Sequence, residues 1–399
     1  MRKHRHARLV ATGVTSSREN LCKALSIDVV KFEEILARPD AGRFRKSQIL
    51  KKNGKDVREV YCPSWDVRVL LRRFNKRFFA DPNVIKWPYF LYGCVPNDDD
   101  TDAGGRDYIS CAAVHANARS LLKADIANFF PSITKHWVTA VFSRTLFFSD
   151  DLARDMATIN CVDDALVQGS PCASYIAGAL FGLKEGLIVR RLESKGYRYT
   201  RYVDDITISS SRRGETFALA TRLIDDLLSE HDLERNSEKT AIARSGSTPL
   251  LVHGIRVGGG RVGLPRVEFK AIRAAVNTLE NYSKSGEFRA SLHYRRMYMR
   301  CMGLVGKLAR TKDVRSVGYI SRLRRIRPLS TQEDIDLCTK WVMEVERNAP
   351  TRSNYFFQVR QANRTLARLA VLAWTFPQEA SALKARVRRH TGSYDQIKI

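Results

Sequence analysis

The sequence predicts an α+β fold, and three observations predict it. β-Prone runs gather in the middle of the chain, at 48–63, up to 125, 197–210 and 251–257. Helical periodicity opens the chain over Leu21–Ala37, and from Arg266 onward the pattern is almost wholly helical. The 399 residues can bury a full core, as one multi-part body or two to three domains. Lys and Arg number 68 against 42 Asp and Glu, a net +26. That excess is too large for a typical metabolic enzyme. Spread over the whole length, it points to nucleic acid rather than a membrane patch.

The eight cysteines show no Cys-x-x-Cys spacing and read as reduced thiols of a cytoplasmic protein, without a disulfide frame or zinc site. No membrane contact is expected: the longest apolar run, Leu366–Phe376, is too short to span and carries Arg368. The opening Met-Arg-Lys-His-Arg-His has no signal-peptide core behind it and reads as a disordered basic tail suited to phosphate.

In chain order, Leu21–Ala37 is a helical lead-in. Gln48–Pro63 is a hairpin turning at Asn53-Gly54, with Lys51, Lys52, Lys55 and Arg58 on or near the turn. Mobile cations there suit clamping a triphosphate; a solvated basic hairpin is the alternative. Trp65–Phe79 is a basic amphipathic helix, and 97–105 is an acidic surface loop. Lys123–Ile133 is a strand ending in Asp125, followed by Phe129, Phe130 and Pro131. Gln168-Gly169-Ser170-Pro171 is a turn running into a helix over Tyr175–Arg190. Tyr197–Ser210 is a hairpin with Asp204 and Asp205 at its tip. Two carboxylates there repel one another unless a cation sits between them, and hard oxygens on a stiff element suit Mg²⁺. The doublets at 150–151, 163–164 and 225–226 read instead as solvated turns or helix faces. Phe217–His231 is an amphipathic helix, and 251–265 forms hairpins turning at the triple glycine 258–260. Basic helices follow over 267–282, 291–311, 315–327, 332–347 and 354–375.

Tyr202-Val203-Asp204-Asp205 resembles the Tyr-x-Asp-Asp box of reverse transcriptases, and the other boxes stand in family order. The segment 51–63 resembles the fingers of bacterial reverse transcriptases, Asp125 with its aromatics the first catalytic motif, and 168–171 the Gln-Gly-x-Pro box. Asn236-Ser237-Glu238-Lys239-Thr240 resembles the Asn-x-x-Lys-Thr box. Val252-His253-Gly254 resembles the Val-Thr-Gly hairpin of retron-type enzymes, and Gly318–Pro328 their thumb. The match departs at Cys111, where Asn opens the Asn-Ala-x-x-His element ending at His115. It departs also at Ala173, in place of Ser, and at His253, in place of Thr.

The resemblance implies a right-hand polymerase: 1–40 a helical lead-in, 41–265 fingers and palm (an antiparallel sheet backed by helices), 266–330 a helical thumb, and 331–399 a basic helical extension. It implies two Mg²⁺ ions, with Mn²⁺ as a substitute, held by Asp125, Asp204, Asp205 and the Ile126 carbonyl, and Lys239 as a proton donor. Lys51, Lys52, Lys55, Arg58, Gln168 and Gly169 would bind the dNTP, with Phe130 as a steric gate against ribose. Tyr202, Val252, His253, Gly254 and His115 would meet primer or other nucleic acid. The implied activity is RNA-directed DNA synthesis of the retron type. Its partners would be a structured non-coding RNA serving as primer and template, an RNA-linked DNA product, and an effector protein in antiphage defence. A different defence reverse transcriptase, with other priming or untemplated synthesis, and an inactive RNA-binding scaffold are the competing readings.

Overall fold

The computed structural model describes residues 4–11, 15, 17–50, 54, 57–97, 105–348 and 355–391. The chain divides into two compact units, 1–262 and 263–398.

The first unit is built on a five-stranded sheet. Its strands are β1 (Leu91–Tyr92), β2 (Ser120–Ile126), β3 (Arg198–Tyr202), β4 (Asp205–Ser210) and β5 (Arg235–Arg244), in the order β5-β2-β4-β3-β1. The four longer strands are antiparallel, and the short β1 pairs parallel to β3 at the edge. β2 reads Ser-Leu-Leu-Lys-Ala-Asp-Ile and is buried at every position but Lys123, as a central strand covered on both faces should be. Helices Lys135–Leu146, Asp150–Asn160, Ala173–Ala179, Gly182–Ser194 and Ala218–Ser229 share one apolar core with the sheet. The helix expected over 175–190 is two helices, broken at Leu180–Phe181, which lets Phe181 turn into the core.

The basic hairpin pairs Phe44–Leu50 with Val57–Pro63 in unbroken register. Its turn residues Lys51, Lys52 and Lys55 lie outside the described residues. The helix Trp65–Phe74 continues as a π-helical turn, Asn75–Phe79. The basic N-terminus is not a free tail throughout: Arg8–Leu9 pairs with Ile85–Lys86, and the Tyr89 N–H donates to the His4 carbonyl at 3.1 Å. A two-residue strand is too short to show a period in sequence.

The second unit is helical. Arg266–Tyr282, Leu292–Arg310 and Arg315–Arg325 pack through Ile272, Val276, Val305, Leu308 and Leu323. Gln332–Arg347, Tyr355–Leu372 and Pro377–Thr391 enclose a second core. Asp334 joins the two groups by accepting from Arg295 (3.0 Å) and from Arg368, while Tyr298 meets Trp374 edge-on at 5.5 Å. No helix among the described residues is long and apolar enough to cross a membrane.

Candidate active site

The site is assembled by β-sheet register. Asp125 is the penultimate residue of β2 and Asp205 the first of β4, and the two are direct antiparallel partners. Directly opposed residues put their side chains on one face, about 5 Å apart at Cβ. Tyr202 pairs with Asp205 across β3 and β4, so Val203 and Asp204 alone make the turn. The turn is therefore centred one residue earlier than an Asp204-Asp205 tip. Asp204 is in the turn and Asp205 already in the strand. The Ile126 N–H donates to the Asp204 carbonyl at 3.1 Å and ties the turn to the end of β2. Ile126 itself is buried.

Three carboxylates are thus crowded together. Burial, the Asp204 charge and the Asp125 charge push the Asp205 carboxyl up to about 6, although half of its side-chain surface is open to solvent. Asp204 is also raised, first by burial, with Arg58 and Lys239 pulling the other way. Arg58 is exposed on its strand yet reaches this field. Unbalanced like charge of this kind is relieved by a cation, and the all-oxygen donors suit a hard divalent ion. Among the described residues, no three Asp, Glu, His or Cys side chains close a cage of their own. A metal here would need further oxygens, from water or substrate phosphate, as Mg²⁺ sites commonly do.

The Asn-x-x-Lys-Thr segment explains itself in β5. Pairing with β2 holds at Asn236↔Asp125, breaks, and resumes at Ala241↔Lys123. The intervening residues bulge. The Asn236 Oδ1 accepts the Lys239 N–H (3.2 Å), and the Thr240 hydroxyl donates to the Asn236 carbonyl (2.7 Å). The bulge returns the Lys239 ammonium to Asp125 Oδ2 at 2.9 Å, where Asn236 Nδ2 also points at 3.4 Å. That hydrogen bond raises the Lys239 pKa and keeps it protonated.

Phe129 and Phe130 divide as core and margin: Phe129 is buried, while Phe130 is half-exposed with its ring 5.8 Å away. Gln168 and Gly169 meet the basic hairpin. The Tyr61 N–H donates to the Gln168 carbonyl (2.9 Å), and Gly169, at φ +113°, lies so close that a Cβ would sit 2.5 Å from the Tyr61 carbonyl oxygen. Only glycine fits that approach.

Behind the turn, His253 sits in a hairpin turn with Gly254, between Leu251–Val252 and Ile255–Gly258. Its ring lies 4.7 Å from Tyr202, its Nδ1 3.7 Å from Asp205 and its Nε2 3.5 Å from Cys111 Sγ. Burial and Lys123 lower its pKa to about 4, so the ring is neutral and makes no ion pair with Asp205. The Tyr202 ring lies over Gly93, where a Cβ would intrude to 2.5 Å.

Two expected nucleic-acid contacts are corrected. His115 is wholly buried, with Nδ1 2.7 Å from Ser209 Oγ and Nε2 2.8 Å from Thr200 Oγ1, so the ring is spent inside the fold. The Val252 side chain is also fully buried and has no surface to offer. Sequence reasoning missed Lys123, the exposed residue of β2 whose charge steadies Asp205. It missed Tyr61 and Arg201 as well. A lone charge between Leu122 and Ala124 in an otherwise buried strand could have marked Lys123, but nothing local marks the other two.

Residues 49–288 match the family model described as reverse transcriptase (RNA-dependent DNA polymerase). The chain is 34% identical to the retron Ec48 reverse transcriptase of Escherichia coli, over 92% of this chain and 91% of that one. It is 31% identical to the retron Se72 reverse transcriptase of Salmonella heidelberg, over 72% of this chain and 73% of that one. Among solved structures it is similar to telomerase from Candida albicans, with a TM-score of 0.40 and 10% identity, over 90% of this chain and 63% of that one. The chain belongs to the reverse transcriptases of the retron type and is an RNA-directed DNA polymerase.

Proposed function

We propose that the chain copies part of a cognate structured non-coding RNA into single-stranded DNA that stays joined to that RNA, in the cytoplasm and in the service of antiphage defence with a separate effector protein. The observation that carries the catalytic part is the pairing of Asp125 with Asp205 across β2 and β4, with Asp204 in the adjoining turn. Asp125, Asp204, Asp205 and the Ile126 carbonyl would hold two Mg²⁺ ions, with Mn²⁺ able to replace them. The ions would activate the primer 3′ oxygen and offset charge on the departing pyrophosphate.

The chain's own groups do the rest. Lys239 gives its Nζ proton to the pyrophosphate oxygen released when the α–β phosphoanhydride bond breaks. Arg58, with Lys51, Lys52 and Lys55, binds the triphosphate, and Gln168 and Gly169 floor the nucleotide. Phe130 lies against the sugar at C2′ and excludes a hydroxyl. Tyr202, His253 and Gly254 hold the primer end. The first unit supplies fingers and palm, and the second a thumb with a basic extension that bears on the RNA.

The test is to express the gene with its flanking DNA, purify the protein and sequence the nucleic acid bound to it. An RNA covalently joined to DNA complementary to part of itself is expected. DNA free of RNA, or without a matching template, would favour the reading with different priming.

A further inference from the structure

Among the described residues, the largest fully buried side chain is an arginine one residue before the Tyr-x-Asp-Asp box. We propose that Arg201, clasped by Glu185, is a positioning residue that fixes the acidic turn and ties it to the two elements flanking the nucleotide. The proposal rests on the reading of Asp204 and Asp205 as catalytic.

All five guanidinium N–H groups are committed. Nε and Nη2 donate to the Glu185 carboxylate at 2.6 and 2.8 Å, and the Tyr199 hydroxyl donates to the same carboxylate at 2.8 Å. The three remaining N–H groups go to backbone carbonyls: Ala177 (3.2 Å), Gly178 (2.9 Å) and Val203 (3.1 Å). Arg201 is 0% exposed and Glu185 2%. A buried ion pair is a poor source of stability, since apolar residues of similar volume do as well or better. What this pair touches is more informative.

Val203 is the first residue of the acidic turn and stands at φ +60°. A β-branched residue resists that region and stays there only when its surroundings over-determine it. Arg201 holds the Val203 carbonyl from one side, and the Ile126 N–H holds the Asp204 carbonyl from the other. Ala177 and Gly178 lie near the end of the helix Ala173–Ala179, which follows the Gln168–Pro171 turn. The guanidinium also lies 4.9 Å over the Phe181 ring, which stacks on Phe129, the neighbour of Phe130. One side chain therefore joins the acidic turn, the nucleotide-floor helix and the sugar-side aromatics. Lysine, with a single ammonium, can meet Glu185 but cannot span three carbonyls.

The test compares Arg201→Lys, Glu185→Met with Arg201→Met, and Asp205→Asn against the unaltered protein. Each is measured for thermal unfolding and for single-turnover dNTP incorporation well below its melting temperature. A misplacement of about 1 Å at a reacting centre costs on the order of 100-fold in rate. The double methionine variant should therefore fold and incorporate roughly 10- to 100-fold more slowly, with the KM for dNTP nearly unchanged, and Arg201→Lys should fall between. A folded double variant, or a folded Arg201→Lys variant should the double fail to fold, that incorporates at the unaltered rate overturns the proposal and leaves the pair a structural clasp. Activity in Asp205→Asn would instead overturn the catalytic reading beneath it.

Discussion

Lys239 shows how one residue joins local backbone to chemistry. Its ammonium reaches Asp125 only because four residues leave the β5 ladder, and Asn236 and Thr240 close that bulge. Replacing Lys239 with Met should slow incorporation by on the order of 100-fold without unfolding the protein, since its side chain is 65% exposed. Single-turnover kinetics beside a melting curve checks this. His115 gives a residue-scale prediction of another kind. Burial drives its pKa down to about 3, below the ordinary 6.5 it regains on unfolding. The unfolded chain therefore binds the extra proton between those values. The His115 contribution is complete above pH 6.5 and falls by about 1.4 kcal/mol for each pH unit below it. Urea titrations from pH 7 to 5 should show that slope reduced in His115→Asn. The sequence left His115 legible as a site residue and not as a core residue, because a histidine just past the end of a short helix looks the same in both. Arg201 was equally illegible: its partner Glu185 is sixteen residues away on another element, and in sequence it is one of 68 basic residues.

At the scale of elements, the acidic doublet was legible because strand, turn and strand are local properties. That Asp125 joins the doublet was legible only through the family resemblance, since register between strands eighty residues apart is set by the whole sheet. The basic hairpin was marked by Asn53-Gly54, yet its docking onto Gln168 and Gly169 depends on one close backbone approach. Gly169→Ala tests that contact. A methyl group 2.5 Å from the Tyr61 carbonyl, on a residue at φ +113°, forces the strand Val57–Pro63 away. The expected result is a loss of about 1–3 kcal/mol in stability, read by denaturant unfolding, and a raised KM for dNTP. The helix Pro377–Thr391 had no bounds of its own in the sequence, only a place in the helical extension 331–399. Its apolar face is only Ala380, Leu383 and Val387, and it is fixed by packing against its two neighbours.

For the whole molecule, charge and fold class were the most legible features, since both are sums over many residues. A net +26 implies binding dominated by phosphate neutralisation. RNA affinity should drop by roughly 1,000-fold or more between 50 and 200 mM salt if six or more phosphates are engaged. Filter binding across that range checks it, and a flat response would mean that the charge serves another purpose. The central claim is that three carboxylates, brought together by two strand registers, carry template-directed DNA synthesis. Its most direct test is dNTP incorporation on an RNA template by the purified protein with Mg²⁺, beside Asp125→Asn and Asp205→Asn variants shown to fold. The account predicts templated DNA from the unaltered protein and none above background from either variant; equal synthesis by all three would contradict it.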